Sequence, residues 1–495
     1  MPLTVSNTLS GESEVFEPVD PDQVTLYYCG LTVSDDPHLG HARSWVHTDV
    51  IHRWLSFLGY DVRHVENFTD INEKIVARIG AAGDDETEVA RHYIAQTLQD
   101  MRSLNLKRVD VYPRVTEHIP EIIDIIGRLI DRGYAYEAGG SVYFDVTTFE
   151  AYGALSNQPL SEMEASDDAA AAEKRHPQDF ALWKAGGVDA DELAEHSREG
   201  SAPATEASRG AATFDSPWSV GRPGWHIECS AMATSHLGET FDIHVAGRDI
   251  IFPHNENEIA QAVAATDGEY ARYWLHTGLL RTEGEKMSSS LQNFFRVSDA
   301  VERFGPNVIR TFMLSSVYSA DQTFSEAAIA EAEERWERLR RAYDRGTDAA
   351  NSEDAGTKAT DVQLREAVDR VSREAVDAMN DDFNTREAMA ALLTLATDVN
   401  RHLDEHTRYD YQGLHAALTC FEEFGGEVFG LELGGSQEGD VRLATELVEL
   451  LLAVRDRERD AGNYEQADEI REDLASLGVI VEDTDSGTDF RVERR

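Results

Sequence analysis

Lysine is almost missing from this chain: six occur in 495 residues, at Lys74, Lys107, Lys174, Lys184, Lys286 and Lys358. Positive charge as a whole is scarce, with 45 Lys and Arg against 93 Asp and Glu and a formal net charge of −48 at pH 7. Cysteine is limited to Cys29, Cys229 and Cys420. Three scattered thiols exclude a disulfide framework and leave metal binding or thiol chemistry as their uses. No run approaches the ~18 consecutive apolar residues of a membrane span. The opening Met1-Pro2-Leu3-Thr4 also lacks a basic and apolar leader pattern. These absences predict a soluble, cytoplasmic chain with no membrane partner.

What is present is 41% hydrophobic and 8% aromatic, enough for a real core and too much for wholesale disorder. At roughly 100–200 residues per domain, the length predicts about two to four domains. Acidic residues run along the whole chain instead of forming one tail, which disfavours an acidic binding protein or chaperone. Such a surface repels itself in dilute buffer, whereas at ~1 M salt the screening length shrinks to ~3 Å. The composition therefore predicts adaptation to molar salt.

Val24 to Val33 (VTLYYCGLTV) is β-branched and aromatic, so a buried strand is expected there, followed by the loop SDDPHLGH. A helix is predicted from about His41, with Trp45, Ile51, Trp54, Leu55 and Leu58 near helical spacing and Gly59 as its stop. DVRHVENFTD from Asp61 predicts a second strand. Strand, loop, helix and strand in that order open an α/β, doubly wound parallel-sheet nucleotide fold. From Tyr134 to Gly221, short strands such as GGSVYFDV and FALWKA predict an inserted subdomain. Its small polar stretch Gly186 to Ala212 is expected to be a mobile acidic loop. Beyond His276 the apolar spacing becomes helical, predicting an all-α C-terminal region. Thr347 to Thr360 is expected to be a polar linker and Gly434 to Gly439 (GGSQEG) a hinge. No coiled-coil heptads or long edge strand are visible, so a monomer is expected.

Three groups of residues carry chemistry. Pro37-His38-Leu39-Gly40-His41 lies where strand gives way to helix. Free N–H groups and the helix dipole there favour phosphate, two imidazoles add donors, and Gly40 allows close approach of the backbone. Glu285-Lys286-Met287-Ser288-Ser289-Ser290 keeps one of the six lysines beside hydroxyls able to donate to phosphate oxygens. Cys29, Cys229, His254 and Glu258 form a dispersed set of borderline-soft ligands suited to tetrahedral Zn²⁺. His254 and Glu258 fall four apart, on one helix face. Spacing alone does not establish that the four converge.

Taken together and in order, CGLTV, PHLGH, NFTDINEKI, DFALWK, SPW, GRPGWHIECSAM, AGRDIIFPHNENEIAQA and EKMSSSLQNF resemble the cysteinyl-tRNA synthetase family of class I aminoacyl-tRNA synthetases, in a haloarchaeal-type, salt-adapted form. The resemblance continues through DDFNTREA and the closing YEQADEIREDLASLGVIVEDTDSGTDF, so it spans nearly the whole chain. It implies His38 and His41 as catalytic histidines of the HIGH signature with Gly40 against ATP. Lys286, Ser288 and Ser289 would form the KMSKS loop on the triphosphate, and Gly247 and Asp249 would hold the ribose. Thr32 and Trp225 are implied in the amino acid pocket, and Cys29, Cys229, His254 and Glu258 as the ligands of one zinc ion. The implied partners are L-cysteine, ATP with Mg²⁺, and the cysteine tRNA.

The same resemblance divides the chain. Residues 1–140 and 222–270 would be the catalytic nucleotide fold, 141–221 the insertion, and 271–325 the KMSKS and stem-contact region. Residues 326–433 would be a helical tRNA-binding bundle and 434–495 a small anticodon-recognition domain. Because zinc would prefer a thiolate to serine's hydroxyl, no editing domain is expected. Three positions depart from the family pattern: Leu39 for isoleucine, Ser289 for the second signature lysine, and Asn255 for a second histidine. Arg281 and Arg296 are candidate substitutes for the lost lysine. Candidate RNA contacts are Arg335, Arg338, Arg340, Arg341, Arg455, Arg457, Arg459 and Arg471, with Tyr464 for stacking; the alternative is that these arginines pair with neighbouring acids. Two rival readings are a cysteine ligase acting on an amino sugar and an RNA-binding homologue without catalysis. The first conflicts with the C-terminal match and the second with the retention of His38, His41 and Lys286.

Overall fold

The computed structural model describes residues 1–163, 173–198, 200–266, 268–282, 285–286, 295–352, 355–356, 362–406, 409–434 and, beyond these, 448, 451–455, 457, 459, 463, 464, 466, 467, 470, 471, 474, 479–484 and 487–492. Two compact units result, Met1–Leu431 and Glu432–Arg495. None of the described helices is long and apolar enough to cross a membrane.

The first unit is organised by four strands and three helices: β1 (Gln23–Tyr28), α1 (Leu39–Phe57), β2 (Asp61–Glu66), α2 (Trp225–Leu237), β3 (Thr240–Gly247), α3 (Glu256–Thr266) and β4 (Tyr270–Thr277). All strand pairs are parallel, in the order β4-β3-β1-β2. A parallel sheet is covered on both faces, which explains the nearly continuous apolar run of β1 and its buried Val24, Leu26, Tyr27 and Tyr28. The helix α1 starts after His38, which is extended (φ −114°, ψ 167°). It stops where Gly59 takes φ +97°, a conformation that costs glycine little. Its buried residues cover every face and include Arg43, His47, Asp49 and His52, so α1 runs through the interior.

Behind α1, His52 Nδ1 lies 3.1 Å from His64 Nδ1 on β2. His64 Nε2 has no hydrogen-bond partner among the described residues, Glu66 has only a weak contact from Trp45, and the three side chains border one cavity of about 20 Å³. Burial pushes Glu66 up to about 8 and His52 down to about 4, and drives His64 well below its ordinary value, so these three groups are held neutral.

Between the two halves of the parallel sheet lies a five-stranded antiparallel sheet. Its strands, in spatial order, are Ala135–Ala138, Ser141–Phe144, Phe180–Ala185, Val220–Pro223 and Phe214–Asp215. Where a mobile loop is expected over 186–212, the described residues instead contain helices Ala190–His196 and Ala204–Ala207 seated on the first unit. The reason is anchoring that the polar composition conceals. Leu193 and Ala207 are buried with Ile75, Val76 and Val89, Ala202 N–H donates to Ile79 O at 2.7 Å, and Arg78 reaches His196 O at 2.6 Å.

Helices Glu326–Ala350, Val362–Asn380, Thr385–Glu405 and Tyr411–Cys420 form a bundle with Trp336, Leu339, Val371, Leu392, Leu395, Val399 and Leu414 inside. The expected linker 347–360 begins later, because Glu326–Ala350 continues to Ala350. Within Glu432–Arg495, a hairpin of Val479–Thr484 with Gly487–Val492 departs from the expected all-helical ending. Val479 and Val481 bury beside Leu452 and Leu474, and that alternation is a strand's period, which outweighs the helical pattern preceding it. The hinge expected at Gly434 to Gly439 lies, apart from Gly434, outside the described residues.

Candidate metal centre and nucleotide cleft

Cys29 leaves the end of β1 with its N–H bonded to Val245 O on β3 at 3.0 Å. Gly30 follows because a Cβ there would stand 1.7 Å from the Asn67 carbonyl oxygen. Asn67 Oδ1 accepts from Gly30 N–H and from the Tyr27 hydroxyl, each at 2.9 Å, and so clamps this crossing. Cys229 sits in the second turn of α2, His254 in the turn before α3, and Glu258 in the first turn of α3.

All four converge. Cys29 Sγ is 3.7 Å from Cys229 Sγ and 3.4 Å from His254 Nε2, and that nitrogen is 3.1 Å from Glu258 Oε1. Every donor atom lies within 4.8 Å of the others. A tetrahedron with metal–sulfur bonds of ~2.3 Å and metal–nitrogen or –oxygen bonds of ~2.0–2.1 Å has edges of ~3.8, ~3.6 and ~3.3 Å for those three pairs. The arrangement therefore fits Zn²⁺ in both donor chemistry and spacing. Around it lies an apolar cluster that includes Tyr27, Phe241, Ile259 and Trp274, so the cradle is built into the core.

Glu258 and His254 are held from behind. Glu258 Oε2 accepts from Tyr270 OH at 2.8 Å and lies 3.1 Å from His244 Nε2, while Oε1 accepts from Asn255 Nδ2 at 2.8 Å. His254 Nδ1 is 2.9 Å from His226 Nδ1. Burial works against a charged Glu258, yet His244 and His254 hold its carboxyl well below the usual range. Burial would likewise disfavour a charged His254, but the Glu258 carboxylate and the Cys229 sulfur raise it to about 10. The Cys229 thiol is pushed well up by its hydrogen bond to Cys29 and by burial, a bias that a divalent cation reverses. Such second contacts orient ligands and set metal affinity.

The cleft lies at the carboxyl ends of β1 and β3. His38 and His41 stack with ring centroids 3.8 Å apart, and His38 N–H donates to His41 Nδ1 at 3.2 Å. Thr32 pairs with Thr69, and Gly247 and exposed Asp249 lie where β3 ends. Trp225 is 38% exposed and lies 4.3 Å from the His254 ring, so its indole joins the metal centre to open solvent.

Residues 15–334 match the model of the class I (C) tRNA synthetase catalytic domain, 375–434 the DALR domain, and 443–491 the cysteinyl-tRNA ligase anticodon binding domain. Over 492 residues the chain is 61% identical to the cysteine–tRNA ligase of Haloarcula marismortui, spanning 99% of this chain and 100% of that one. The chain belongs to the cysteine–tRNA ligase family. The cysteine–tRNA ligase of Halobacterium salinarum is 58% identical over 98% of this chain and 99% of its own, and both sources accord with the net charge of −48. The fold is also that of a Mycobacterium tuberculosis methionyl-tRNA synthetase bound by methionyl-adenylate, at TM-score 0.59, 15% identity, and 82% and 92% coverage of the two chains.

Against the cysteine–tRNA ligase pattern, Asn255 at the family's second histidine bonds directly to Glu258 and lies 3.2 Å from His276 Nε2, so the substitution retains a support for the carboxylate. Arg281 bonds Asp321 at 2.8 Å and Arg296 bonds Asp36 at 3.2 Å. The backbone of Lys286 pairs with Arg281, while Ser288 and Ser289 lie outside the described residues. Among the RNA candidates, Arg335 pairs with Glu331 and Arg340 with Glu337 and Asp344, as the acidic-neighbour alternative expects. Arg338 reaches Thr397 and Arg341 reaches Glu337 O. In the second unit Arg455 is buried, Arg457, Arg459 and Arg471 are exposed, and Tyr464 is 64% exposed. His226, His244, Tyr270 and Asn67 escaped the sequence reading. Only the presence of a polar residue in an otherwise buried strand or helix signals them.

Proposed function

We propose that this chain activates L-cysteine with ATP and passes the cysteinyl group to the terminal ribose of the cysteine tRNA. The observation that carries this reading is the buried set of two sulfurs, an imidazole and a carboxylate, with the partly exposed Trp225 against its imidazole. Bound among Cys29, Cys229, His254 and Glu258, zinc supplies a soft-tolerant site that prefers the substrate's sulfur to serine's oxygen. Trp225 walls the amino acid and Thr32 lines its approach.

His38 and His41 stand at the positive end of α1, where their imidazoles steady the triphosphate as the cysteine carboxylate attacks the α-phosphorus and pyrophosphate leaves. Gly247 and Asp249 hold the ribose, and Lys286 with Ser288 and Ser289 closes on the phosphates with accompanying Mg²⁺. No side chain acts as nucleophile; orientation and charge stabilisation do the work. The division into residues 1–140 and 222–270 for chemistry, 141–221 as insertion, 271–325 beneath the signature loop, 326–433 and 434–495 for RNA belongs to the same reading, as do a monomer and a cytoplasmic setting.

Cysteine-dependent ATP–pyrophosphate exchange in molar KCl, repeated with the cognate tRNA, tests it. Exchange together with charging is expected. Exchange without charging would instead indicate an amino-sugar ligase, and no exchange at all an RNA-binding homologue.

A further inference from the structure

Arg43 lies two residues past His41 on α1 and is wholly buried. Its Nε donates to Gly278 O at 3.1 Å, Nη2 to Val317 O at 3.1 Å and to Ala320 O, and Nη1 to Gln322 Oε1. All four acceptors are neutral oxygens. No carboxylate bonds this guanidinium among the described residues, and Asp321, between the acceptors Ala320 and Gln322 in the chain, offsets the cost of burying the cation only through space. Arg310, the other large guanidinium with no exposure, is built differently, pairing with Asp49 at 2.6 Å.

The acceptors of Arg43 surround the base of one small sheet. Leu280–Thr282 runs parallel to Gln322–Phe324 with Leu280 opposite Gln322, and antiparallel to Glu285–Lys286 with Arg281 opposite Lys286. Gly278 is required at the entrance because a Cβ there would lie 2.1 Å from Ala320 O. One residue further along α1, Ser44 Oγ adds a 2.6 Å contact to Thr277 Oγ1. The chain coming back from the signature segment is sewn to the start of α1 as well, with Leu39 N–H on Phe295 O and Val297 N–H on Pro37 O, both at 3.0 Å.

We infer that Arg43 is a positioning residue for ATP: it fixes the base of the small sheet, whose outer strand carries Lys286, to the helix that carries His38 and His41. The inference rests on the nucleotide role proposed for those three residues. Burial lowers Arg43 only to about 10, so it stays charged at neutral pH and keeps its full fork of donors. A lysine in its place offers a point charge that cannot hold four diverging oxygens, and the two phosphate-binding elements lose their common register.

The test compares full-length Arg43→Lys, Arg310→Lys, Gln322→Leu and Lys286→Ala in molar KCl. Exchange kinetics in ATP and in cysteine are measured alongside zinc content and thermal unfolding. Arg43→Lys is expected to lower kcat/KM for ATP by about ten- to a hundredfold, the scale of a small misplacement, with KM for cysteine and zinc content near wild type. Gln322→Leu should show the same split at about threefold, and it serves if Arg43→Lys does not fold. Arg310→Lys should lower the melting midpoint without separating ATP from cysteine. Arg43→Lys at wild-type ATP kinetics beside an impaired Lys286→Ala overturns the inference alone, as does a parallel rise of both KM values matching Arg310→Lys. Lys286→Ala at wild-type ATP kinetics overturns the nucleotide reading, and the inference with it.

Discussion

Two buried polar clusters of the first unit use the same residue types to opposite ends. At the metal centre Glu258 has a partner for each oxygen, His244 and His254 beside it, and a carboxyl held far down. Behind α1, Glu66 has only the Trp45 indole to bond it, and burial drives it up to about 8. A low dielectric magnifies whichever bias the surrounding dipoles set. The first cluster is organised to hold charge and receive a cation; the second keeps Glu66 and two imidazoles neutral beside a small cavity.

The sharpest break of this contrast is Cys229→Ser. With one sulfur gone, bound zinc should fall to near zero by metal analysis and cysteine-dependent exchange by about a thousandfold or more, while ATP binding persists. Undiminished selection of cysteine by the metal-free variant would remove the distinction. His41→Ala separates the cradle from the cleft: exchange should drop by about 10²–10³ with full zinc content. Loss of zinc in that variant would mean that the two sites are one structural unit. Tyr270→Phe deletes a single hydrogen bond to Glu258, and chelator competition should find zinc affinity weakened about tenfold. Unchanged affinity would make the outer contacts mere packing.

The smallest effect belongs to Glu66. Its folded-state value exceeds that of the unfolded chain, so the folded protein keeps a proton that the unfolded chain releases. Its contribution to stability is complete below about pH 4.5 and declines as pH rises toward 8. Glu66→Gln is neutral throughout and should be about 1–3 kcal/mol more stable than wild type above pH 8, and equal to it near pH 4.5. Equal melting at both pH values would show that Glu66 is as well satisfied as Glu258.

What was legible beforehand follows from the range of the forces involved. The course of β1, α1 and β2 is written in local periodicity and in the glycine at position 59. The four ligands are 29 to 258 residues into the chain, and only the family resemblance joined them; donor chemistry made the set sensible without bringing it together. Tyr270 and His244 read as ordinary strand residues because their purpose lies in another element. The segment 186–212 looked loose because two small apolar contacts, Leu193 and Ala207, and a few backbone bonds hold it, and composition averages these away. The ending hairpin was hidden by the charged helical pattern just before it.

Cys29 precedes the antiparallel insertion, and the other three donors follow it. A ribosome must therefore deliver the chain through residue 258 before any ion can meet a complete set of ligands. Metal capture thus reports that the two separated halves of the parallel sheet have closed on each other. On the reading proposed above, the ion that selects the amino acid is also a late clasp on the fold's own assembly.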